Sequence, residues 1–271
     1  MIVAFIGFSE AGPAFAEAMV GNGAEVRAFD LRSLDARQAE AQAALCARVG
    51  AAHSGSLAAA LDGADLVVST VTAGAALRVA RDAAPLLAAE ACYLDMNSIS
   101  PDGKRAVGDA VAPNAFVEGV AMGRIAEGKL PRVLLSGPGS AIWAERLAAL
   151  GWSAKSAGEA WGAAPKAKLL RSVMVKGFEA LLVEAFEGAR AESLEPVLLE
   201  TLADWIPELD WPAFTSYHLG RVAKHGPRRA EELRECAAML EQMGRSVTMS
   251  ARAAEIMAAA GPTPAAAQPT S

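Results

Sequence analysis

The chain has 271 residues, 53% of them apolar and 21% charged, which is enough apolar material for one large or two moderate domains. Its net charge of −6 provides no positive field for a polyanion, so we expect no nucleic-acid partner. The three cysteines, Cys46, Cys92 and Cys236, lie far apart and predict neither a disulfide framework nor a metal site. A basic signal segment and an apolar run of ~18 residues are both missing, which predicts a cytoplasmic protein without membrane contact.

Short strand-like segments alternate with Ala-rich helical segments in the first part of the chain. Strands are predicted near residues 2–6, 25–29, 66–71, 92–95, 116–120 and 133–136. Helices are predicted near residues 12–22, 33–49, 75–89, 101–111 and 141–150. This alternation is typical of βαβ units, and runs such as Leu66-Val67-Val68 fit strands that are covered on both faces. The predicted fold class is α/β, a Rossmann-type doubly wound, mostly parallel sheet over residues 1–160.

Strand signals end after Trp161, and long helical patterns follow. A helix is predicted over residues 165–190, with a proline in its first turn, where a missing N–H costs no hydrogen bond. Later prolines are expected to divide the helical part into shorter helices: Pro207, Pro212 and Pro227. We therefore predict an all-α carboxy-terminal domain over residues 161–260. Residues 261–271 have little to bury and are predicted to be a disordered tail.

The first predicted strand leads into a glycine-containing turn, Gly7-Phe8-Ser9-Glu10-Ala11-Gly12. Gly7 permits a tight turn, and Gly12 permits close packing of the next helix on the strand. The amino end of that helix offers N–H groups and a partial positive charge to a pyrophosphate. Ser9 stands where the dinucleotide fingerprint has its second glycine, so the contact is expected to be looser or to use the hydroxyl. The turn predicts dinucleotide binding through residues 7–12.

The second predicted strand ends at Asp30, where an acidic side chain can accept hydrogen bonds from the adenine ribose. Asp30 would repel a 2′-phosphate and favours NAD, whereas the nearby Arg32 would favour NADP. If no ligand binds, Asp30 only caps the end of its strand. The order of strand, glycines, helix, strand and acid favours NAD, with NADP possible. Further cofactor-binding candidates follow a later strand, with turn hydrogen bonding as the alternative: Thr70, Val71 and Thr72.

Four segments resemble the β-hydroxyacid dehydrogenases, which include 3-hydroxyisobutyrate dehydrogenase and the NAD-binding domain of 6-phosphogluconate dehydrogenase. The first is the turn of residues 7–12. Asp95-Met96-Asn97-Ser98-Ile99-Ser100-Pro101 resembles the family's substrate-binding D-x-S-T-x-x-P segment. Glu118-Gly119-Val120-Ala121-Met122-Gly123 resembles its short apolar strand beside the substrate. Gly162-Ala163-Ala164-Pro165-Lys166-Ala167-Lys168 resembles G-x-G/A-x-x-x-K, which delivers the catalytic lysine. The likeness covers nearly all of residues 1–190, and the remainder looks like a branch with its own helical domain.

The resemblance implies oxidation of a small hydroxy acid, with Lys168 as general acid and base and with nicotinamide as hydride acceptor. Asn97 would lie beside both cofactor and substrate. The other implied substrate-binding residues are Ser98, Ile99, Gly119, Val120, Ala121, Arg171 and Ser172. Asn97 and Ser172 stand where the family usually has Ser and Asn, which predicts an altered substrate. Ser98 and Ser100 have a second interpretation, as caps of the helix that begins at Pro101.

A helical projection supports Lys168 without reference to the family. At about 100° per residue, Lys168, Arg171 and Ser172 share one sector, while the apolar residues of the same segment fill the opposite sector. One face would then pack, and the other would meet a ligand. A solvated charged face is the alternative interpretation of such a stripe.

Several expectations depend on less specific signals. Arg221, His225 and Arg228 belong to a basic cluster that either holds an anionic substrate group or forms a solvated surface. No His, Cys and acid spacing predicts a metal. The resemblance implies a homodimer formed through the helical domains. An imine or aldehyde reductase on the same scaffold, or a nucleotide-binding protein without catalysis, are the competing hypotheses.

Overall fold

The computed structural model describes residues 1–123, 125 and 130–260. The chain divides into two compact units, Met1–Lys168 and a second unit that begins at Leu169. The predicted tail over residues 261–271 lies outside the described residues. The domain limits predicted from the sequence, 1–160 and 161–260, stay a prediction.

The first unit is built on one sheet, for which eight strands are present in the described residues. They are β1 (Ile2–Ile6), β2 (Glu25–Phe29), β3 (Ala52–His53), β4 (Leu66–Ser69), β5 (Cys92–Asp95), β6 (Ala115–Ala121), β7 (Val133–Ser136) and β8 (Ala154–Ser156). Their order is β3-β2-β1-β4-β5-β6-β7-β8, and only the β6–β7 pair is antiparallel within the described sheet. The strand order reverses between β1 and β4, where open parallel sheets bind ligands. This sheet confirms the predicted doubly wound α/β fold class.

Six helices of the described first unit cover the two faces of the sheet. They are α1 (Ala11–Gly21), α2 (Ala36–Arg48), α3 (Leu57–Leu61), α4 (Ala76–Ala83), α5 (Pro101–Val111) and α6 (Ser140–Ala149). One core contains Phe15 of α1, Cys46 of α2 and Trp143 of α6, packed with alternate residues of β1. The second contains side chains of α3, α4 and α5. Because successive strand residues point to opposite faces, both faces of β1 are buried, as its apolar run predicts.

The predicted and observed elements differ where segments are short. The two residues of β3, the five of α3 and the three of β8 were not predicted, because so few residues give no measurable period. The helix predicted over 75–89 ends at Ala83 and continues as a single 3-10 turn, Ala84–Leu86. That turn contains Pro85, whose ring removes a backbone donor.

The second unit is helical, as the sequence predicts. Helix α7 (Ala163–Ala191) begins in the first unit and is followed by α8 (Glu195–Trp205), α9 (Trp211–Gln242) and α10 (Thr248–Ala259). The expectation that Pro227 divides this region is wrong, because α9 continues through it. Buried Val222, Ala230 and Leu233 pack in one core on either side of the proline and outweigh its local cost of ~3 kcal/mol. No helix in the described ranges combines the length and the apolarity needed to cross a membrane.

Charged side chains connect α7 with α9 inside the second unit. Glu179 of α7 is completely buried. Its carboxylate lies 2.8 Å from His218 Nδ1 and forms an ion pair with Arg229. Lys176 donates to Ser172 Oγ at 2.5 Å and forms an ion pair with Glu232 at 2.7 Å. Ser172, a predicted substrate-binding residue, therefore belongs to a hydrogen-bond network within the helical unit.

Candidate functional site

A cleft of about 770 Å³ opens in the first unit, lined by residues that follow the carboxyl ends of β1, β2, β4 and β5. It brings together most of the predicted site residues: Gly7, Ser9, Glu10, Ala11, Asp30, Arg32, Thr70, Val71, Thr72, Asn97, Ser98, Ala121 and Lys168. Five predicted residues of the same unit are not among those that line it: Phe8, Gly12, Ile99, Gly119 and Val120. Arg171 and Ser172 belong to the second unit.

The turn after β1 requires glycine at both of its predicted positions. Gly7 has a φ of +84°, and a Cβ atom there would lie 2.7 Å from the carbonyl oxygen of Thr70. A Cβ atom on Gly12 would lie 2.8 Å from the carbonyl oxygen of Gly7. The Thr70 hydroxyl donates to that same Gly7 oxygen at 2.6 Å, which is the turn hydrogen bond considered as its alternative role. Strand, turn and helix are therefore packed so closely that no side chain fits at positions 7 and 12.

The amino end of α1 is without a side-chain cap in the described part of the first unit, as are those of α4 and α6. No side chain among the described residues caps its first turn, and that turn carries no acidic residue. By contrast, Asp35 caps α2, and Ser100 caps α5 by accepting from Gly103 N at 3.1 Å. Ser9 and Glu10 at the start of α1 are exposed and line the cleft. N–H groups without a protein cap, at the positive end of a helix dipole, fit a pyrophosphate.

Asp30 is held by the turn and by Arg32. Its Oδ2 atom accepts from Phe8 N at 2.7 Å, and its Oδ1 atom accepts from Arg32 N at 3.0 Å and from Arg32 Nε at 2.9 Å. Burial alone would raise the pKa of the Asp30 carboxyl, but hydrogen bonds from Arg32 and from Phe8 N–H lower the pKa below its usual value. The carboxylate therefore stays charged and shares its oxygens with Arg32 at the edge of the cleft.

Phe8 contributes backbone atoms to this arrangement, whereas its ring is buried in the core and lies 5.9 Å from the ring of Phe5. The buried Gln42 amide lies between Phe8 O and Arg32 Nη2, and in the amide orientation that matches donors with acceptors it donates to the first at 3.1 Å and accepts from the second at 3.0 Å. Gln42 was missed from the sequence because one polar residue inside a helix gives no signal of a contact 34 positions away along the chain.

Asn97 is buried, and one of its polar side-chain atoms has no hydrogen-bond partner among the described residues. Its side chain is 3% exposed, its backbone N donates to Asp95 Oδ1 at 2.7 Å, and its Nδ2 donates to Ser69 Oγ at 3.0 Å. Its Oδ1 atom is buried and has no hydrogen-bond partner in the described part of the chain. A buried acceptor without a partner costs free energy, and Asn97 is one of the residues that line the cleft.

Lys168 lies in the cleft on α7, and its Nζ donates to Ser98 Oγ at 3.2 Å. Ser98 is exposed and follows β5, whereas the neighbouring Ser100 caps α5. Of the two serines, only Ser100 is therefore the helix cap, and Ser98 stays a predicted substrate-binding residue. Ser98 faces the lysine, and Ser100 begins the helix.

A buried ion pair lies next to the Asp95–Pro101 segment. Lys104 of α5 is completely buried and donates to Asp95 Oδ1 at 3.1 Å, Asp95 O at 2.6 Å and Gly119 O at 3.0 Å. Burial lowers the pKa of Lys104, while the nearby carboxylate of Asp95 opposes that change. A Cβ atom on Gly119 would lie 2.4 Å from Met96 Sδ, so a larger residue there would require the Met96 side chain to move. Lys104 was missed from the sequence, since a lysine within a helix normally indicates a solvated face.

Among the described residues, no group of three or more His, Cys, Asp or Glu side chains is arranged to hold a metal ion. The polar side chains of the cleft include the carboxylates of Glu10, Asp30 and Asp82, the guanidinium groups of Arg32 and Arg78, and the amine of Lys168, beside hydroxyl and amide groups, and this mixture suits a polar organic ligand.

Two family models match the chain. Residues 2–121 match the NAD binding domain of 6-phosphogluconate dehydrogenase, and residues 189–260 match a domain of unknown function, DUF1932. An uncharacterized 28.5 kDa protein of Methanothermus fervidus is 30% identical over 174 residues, which is 63% of this chain and 66% of that protein.

Solved structures share the fold over nearly the whole chain. A conserved hypothetical protein from Sinorhizobium meliloti 1021 is 38% identical, with a TM-score of 0.83 over 96% of this chain and 88% of that chain. A conserved protein of unknown function, described as structurally similar to 3-hydroxyacid dehydrogenases, is 28% identical, with a TM-score of 0.80 over 95% of each chain.

More distant structures extend the likeness at the level of the fold alone. The 3-hydroxyisobutyrate dehydrogenase of Mycobacterium tuberculosis is 21% identical, with a TM-score of 0.76 over 95% of this chain and 92% of that chain. An imine reductase of Streptomyces aurantiacus is 18% identical, with a TM-score of 0.56 over 95% of this chain and 93% of that chain. Residues 2–121 thus belong to the family of the NAD-binding domain of 6-phosphogluconate dehydrogenase and residues 189–260 to DUF1932, which confirms the resemblance to β-hydroxyacid dehydrogenases.

Proposed function

We propose that this protein is an NAD-dependent dehydrogenase that acts on the CH–OH group of a small hydroxy acid or a related hydroxylated metabolite. The observation that carries the proposal is the position of Lys168, whose amine lies 3.2 Å from Ser98 Oγ in the cleft that also contains the glycine turn. An amine beside a hydroxyl, in a cleft with an uncapped helix terminus, suits proton transfer next to a bound dinucleotide.

The cofactor would be held by the first βα unit. The start of α1 would receive the pyrophosphate, the Asp30 edge the adenine ribose, and Asn97 Oδ1 would accept from the nicotinamide end or from the substrate. Thr70, Val71 and Thr72 would line the wall between these positions. When bound, the cofactor supplies the hydride acceptor for the oxidation.

The residues of the chain would handle the proton and the orientation of the substrate. Oxidation of a carbinol releases the hydroxyl proton, which Lys168 Nζ would accept, and the reverse reaction would return it from the same atom. Ser98 and Asn97 would orient the reacting hydroxyl and a carboxylate of an anionic substrate, and Ala121 would line the cleft beside them. Ile99, Gly119, Val120, Arg171 and Ser172 stay predicted substrate-binding residues.

NAD is the preferred cofactor in this proposal. Both oxygens of Asp30 are engaged by Arg32, so a 2′-phosphate would have to compete with a partly buried carboxylate for the guanidinium. NADP remains the second cofactor to be tested, because Arg32 lies at the same edge of the cleft.

The proposal is tested with a panel of hydroxy acids followed through the nicotinamide absorbance, comparing the wild type with Lys168→Met. The variant is expected to lose about 10²- to 10⁴-fold in turnover, with NADH affinity unchanged, because only the proton-transfer group is removed. Lys166→Met, two residues away on the same helix, is the matched control and should retain turnover. Full activity of Lys168→Met would refute the role of this lysine.

A second candidate is an imine or aldehyde reductase. The altered side chains at Asn97 and Ser172 favour it, and an imine reductase shares the fold. The same panel, extended to amines, imines and aldehydes, separates the two. NADH binding without turnover of any compound would instead support a nucleotide-binding protein without catalysis.

We also propose that the protein is a cytoplasmic homodimer. Its partner would be a small anionic substrate. Light scattering of the purified protein measures the oligomeric state directly. A monomer at micromolar concentration would remove the dimer from the proposal.

A further inference from the structure

Two buried polar residues of neighbouring strands face each other across the antiparallel part of the sheet. Glu118 of β6 pairs with Ser136 of β7 in register, and both side chains are completely buried. Ser136 Oγ donates to Glu118 Oε2 at 2.5 Å. A buried carboxylate is costly unless several donors satisfy it, so a fold that keeps one here needs donors around it.

Two backbone donors come from the start of α7, the helix that carries Lys168, whereas Glu118 Oε1 has no hydrogen-bond partner in the described part of the chain. Gly162 N donates to Glu118 Oε2 at 2.7 Å, and Ala164 N donates to Ser136 Oγ at 3.0 Å. These contacts link backbone groups to side chains that are 44 and 28 positions away in the sequence. The first turn of α7 is thereby fixed to the sheet by two hydrogen bonds that an ordinary local cap would not provide.

The other N–H groups of this turn are also accounted for. Lys166 N donates to Gly162 O at 3.0 Å, Ala163 N donates to Ala160 O at 3.2 Å, and Pro165 has no N–H. A negative charge at the amino end of a helix is favourable, because it interacts with the helix dipole. The charge of Glu118 therefore adds to the stabilisation that its hydrogen bonds provide.

Aromatic packing fixes the same segment from the side. Trp161 stacks on Phe116 of β6, with 5.4 Å between ring centroids and an angle of 24° between ring planes. A Cβ atom on Gly137 would lie 2.6 Å from the Trp161 ring, so the residue after β7 must be glycine for the ring to fit. The position of Trp161, two residues before α7, is therefore fixed by its neighbours Phe116 and Gly137.

We propose that Glu118 and Ser136 are positioning residues that hold the start of α7 so that the Lys168 amine lies at its working place beside Ser98. The inference rests on the proposed role of Lys168 as proton acceptor. Lys168 lies four residues after Ala164, about 6 Å along the helix axis, so a shift of the first turn is passed on to it directly. A misplacement of about 1 Å can cost a hundredfold in rate.

In this positioning role, Glu118 acts as a hydrogen-bond acceptor and not through its charge. Its Oε2 atom acts as the acceptor for Gly162 N and Ser136 Oγ, and a glutamine oxygen can occupy the same place. Glu118→Gln should therefore preserve most of the activity, whereas Glu118→Ala should not. A purely electrostatic role of the carboxylate would predict equal losses for both.

The test measures kcat, KM and NADH affinity for Ser136→Ala, Glu118→Ala and Glu118→Gln, with Lys168→Met as reference. Thr215→Val is the matched control, because it also removes a buried hydroxyl, from the Thr215 Oγ1 to Trp211 O hydrogen bond of the second unit. A second readout is acetylation of the Lys168 amine relative to exposed Lys155, quantified by mass spectrometry without substrate.

We expect Ser136→Ala and Glu118→Ala to lower kcat about tenfold to a hundredfold, with NADH affinity unchanged, and to alter the acetylation ratio. Thr215→Val should leave both measurements as in the wild type. If Ser136→Ala and Glu118→Ala keep the wild-type kcat and acetylation ratio while Lys168→Met is inactive, the positioning role is overturned and the proposed function stands. If Lys168→Met remains active, the proposed function fails, and the acetylation ratio alone decides whether these residues position the amine.

Discussion

The two units of the protein both bury charged side chains, but they use them differently. In the first unit, Asp95 and Lys104 are completely buried, and Asp95 Oδ1 also accepts from the backbone of Asn97 in the cleft. In the second unit, Glu179 is equally buried, and its contacts with His218 and Arg229 join two helices of that unit.

The difference follows from the architecture of each unit. Parallel strands bring their carboxyl ends to one edge, so polar residues that end β1, β2, β4 and β5 converge on one cleft. Two packed helices have no such edge, and a charge between them is neutralised by a partner on the facing helix. The buried Asp95 of the first unit thus supports Asn97, a residue that lines the cleft, whereas the buried Glu179 of the second unit connects helices.

The largest effect is expected for Lys104→Met. Removing the ammonium leaves the buried carboxylate of Asp95 without its ion pair, which should lower the free energy of unfolding by about 3–5 kcal/mol. Because Asp95 also holds the backbone of Asn97, NADH affinity should fall as well. Urea denaturation and NADH titration measure both quantities. Lys155→Met, at an exposed position, is the control, and an equally stable Lys104→Met variant would contradict the assigned contacts.

A smaller loss of stability, about 1.5–3 kcal/mol, is expected for Glu179→Gln, because charged hydrogen bonds to His218 and Arg229 are lost. NADH affinity should stay at the wild-type value if this cluster only joins helices. Exposed Glu255→Gln provides the control for the chemical change alone. A fall in affinity as large as that of Lys104→Met would end the distinction between the two units.

Asp30→Asn should change cofactor preference without a large loss of stability. The amide can still accept from Phe8 N, but it no longer neutralises Arg32, so the guanidinium becomes available to a 2′-phosphate. We expect NADPH affinity to rise relative to NADH by about tenfold, or 1.4 kcal/mol. Titration of both cofactors measures the ratio, with Asp62→Asn as a surface control. An unchanged ratio would remove Arg32 from the determinants of preference.

The smallest effect concerns the acid stability of the same carboxyl. Because the pKa of Asp30 is lower in the folded chain than in the unfolded chain, its contribution to stability is complete above the usual value of about 4. That contribution is lost as the pH falls through the lowered value. Urea midpoints measured from neutral to acid pH should therefore fall less steeply below pH ~4 in Asp30→Asn than in the wild type. Parallel curves would show that Asp30 titrates normally.

Local sequence was sufficient for the first βα unit. The strand of Ile2–Ile6, its turn, the following helix and Asp30 were predicted in order, since apolar runs, glycine and an acidic strand end each leave a signal over a few residues. Lys168 was predicted from the glycine before its helix, the polar sector on that helix and the resemblance of residues 162–168 to a family motif, and it lines the cleft.

Other parts of the site depend on contacts that leave no such signal. Lys104 resembles a surface lysine of a helix until the fold encloses it between β5 and β6. Pro227 resembles a helix end until packing on both sides carries α9 through it.

The sequence by itself determined the alternation of strands and helices, the glycine turn and the change to an all-helical second part, because each depends on residues that are close along the chain. Only the tertiary structure decided which polar side chains are buried, which of them line the cleft, and that Glu118 and Ser136 meet the start of α7. Those hydrogen bonds join residues separated by tens of positions, and their free energy exists only after the sheet has formed.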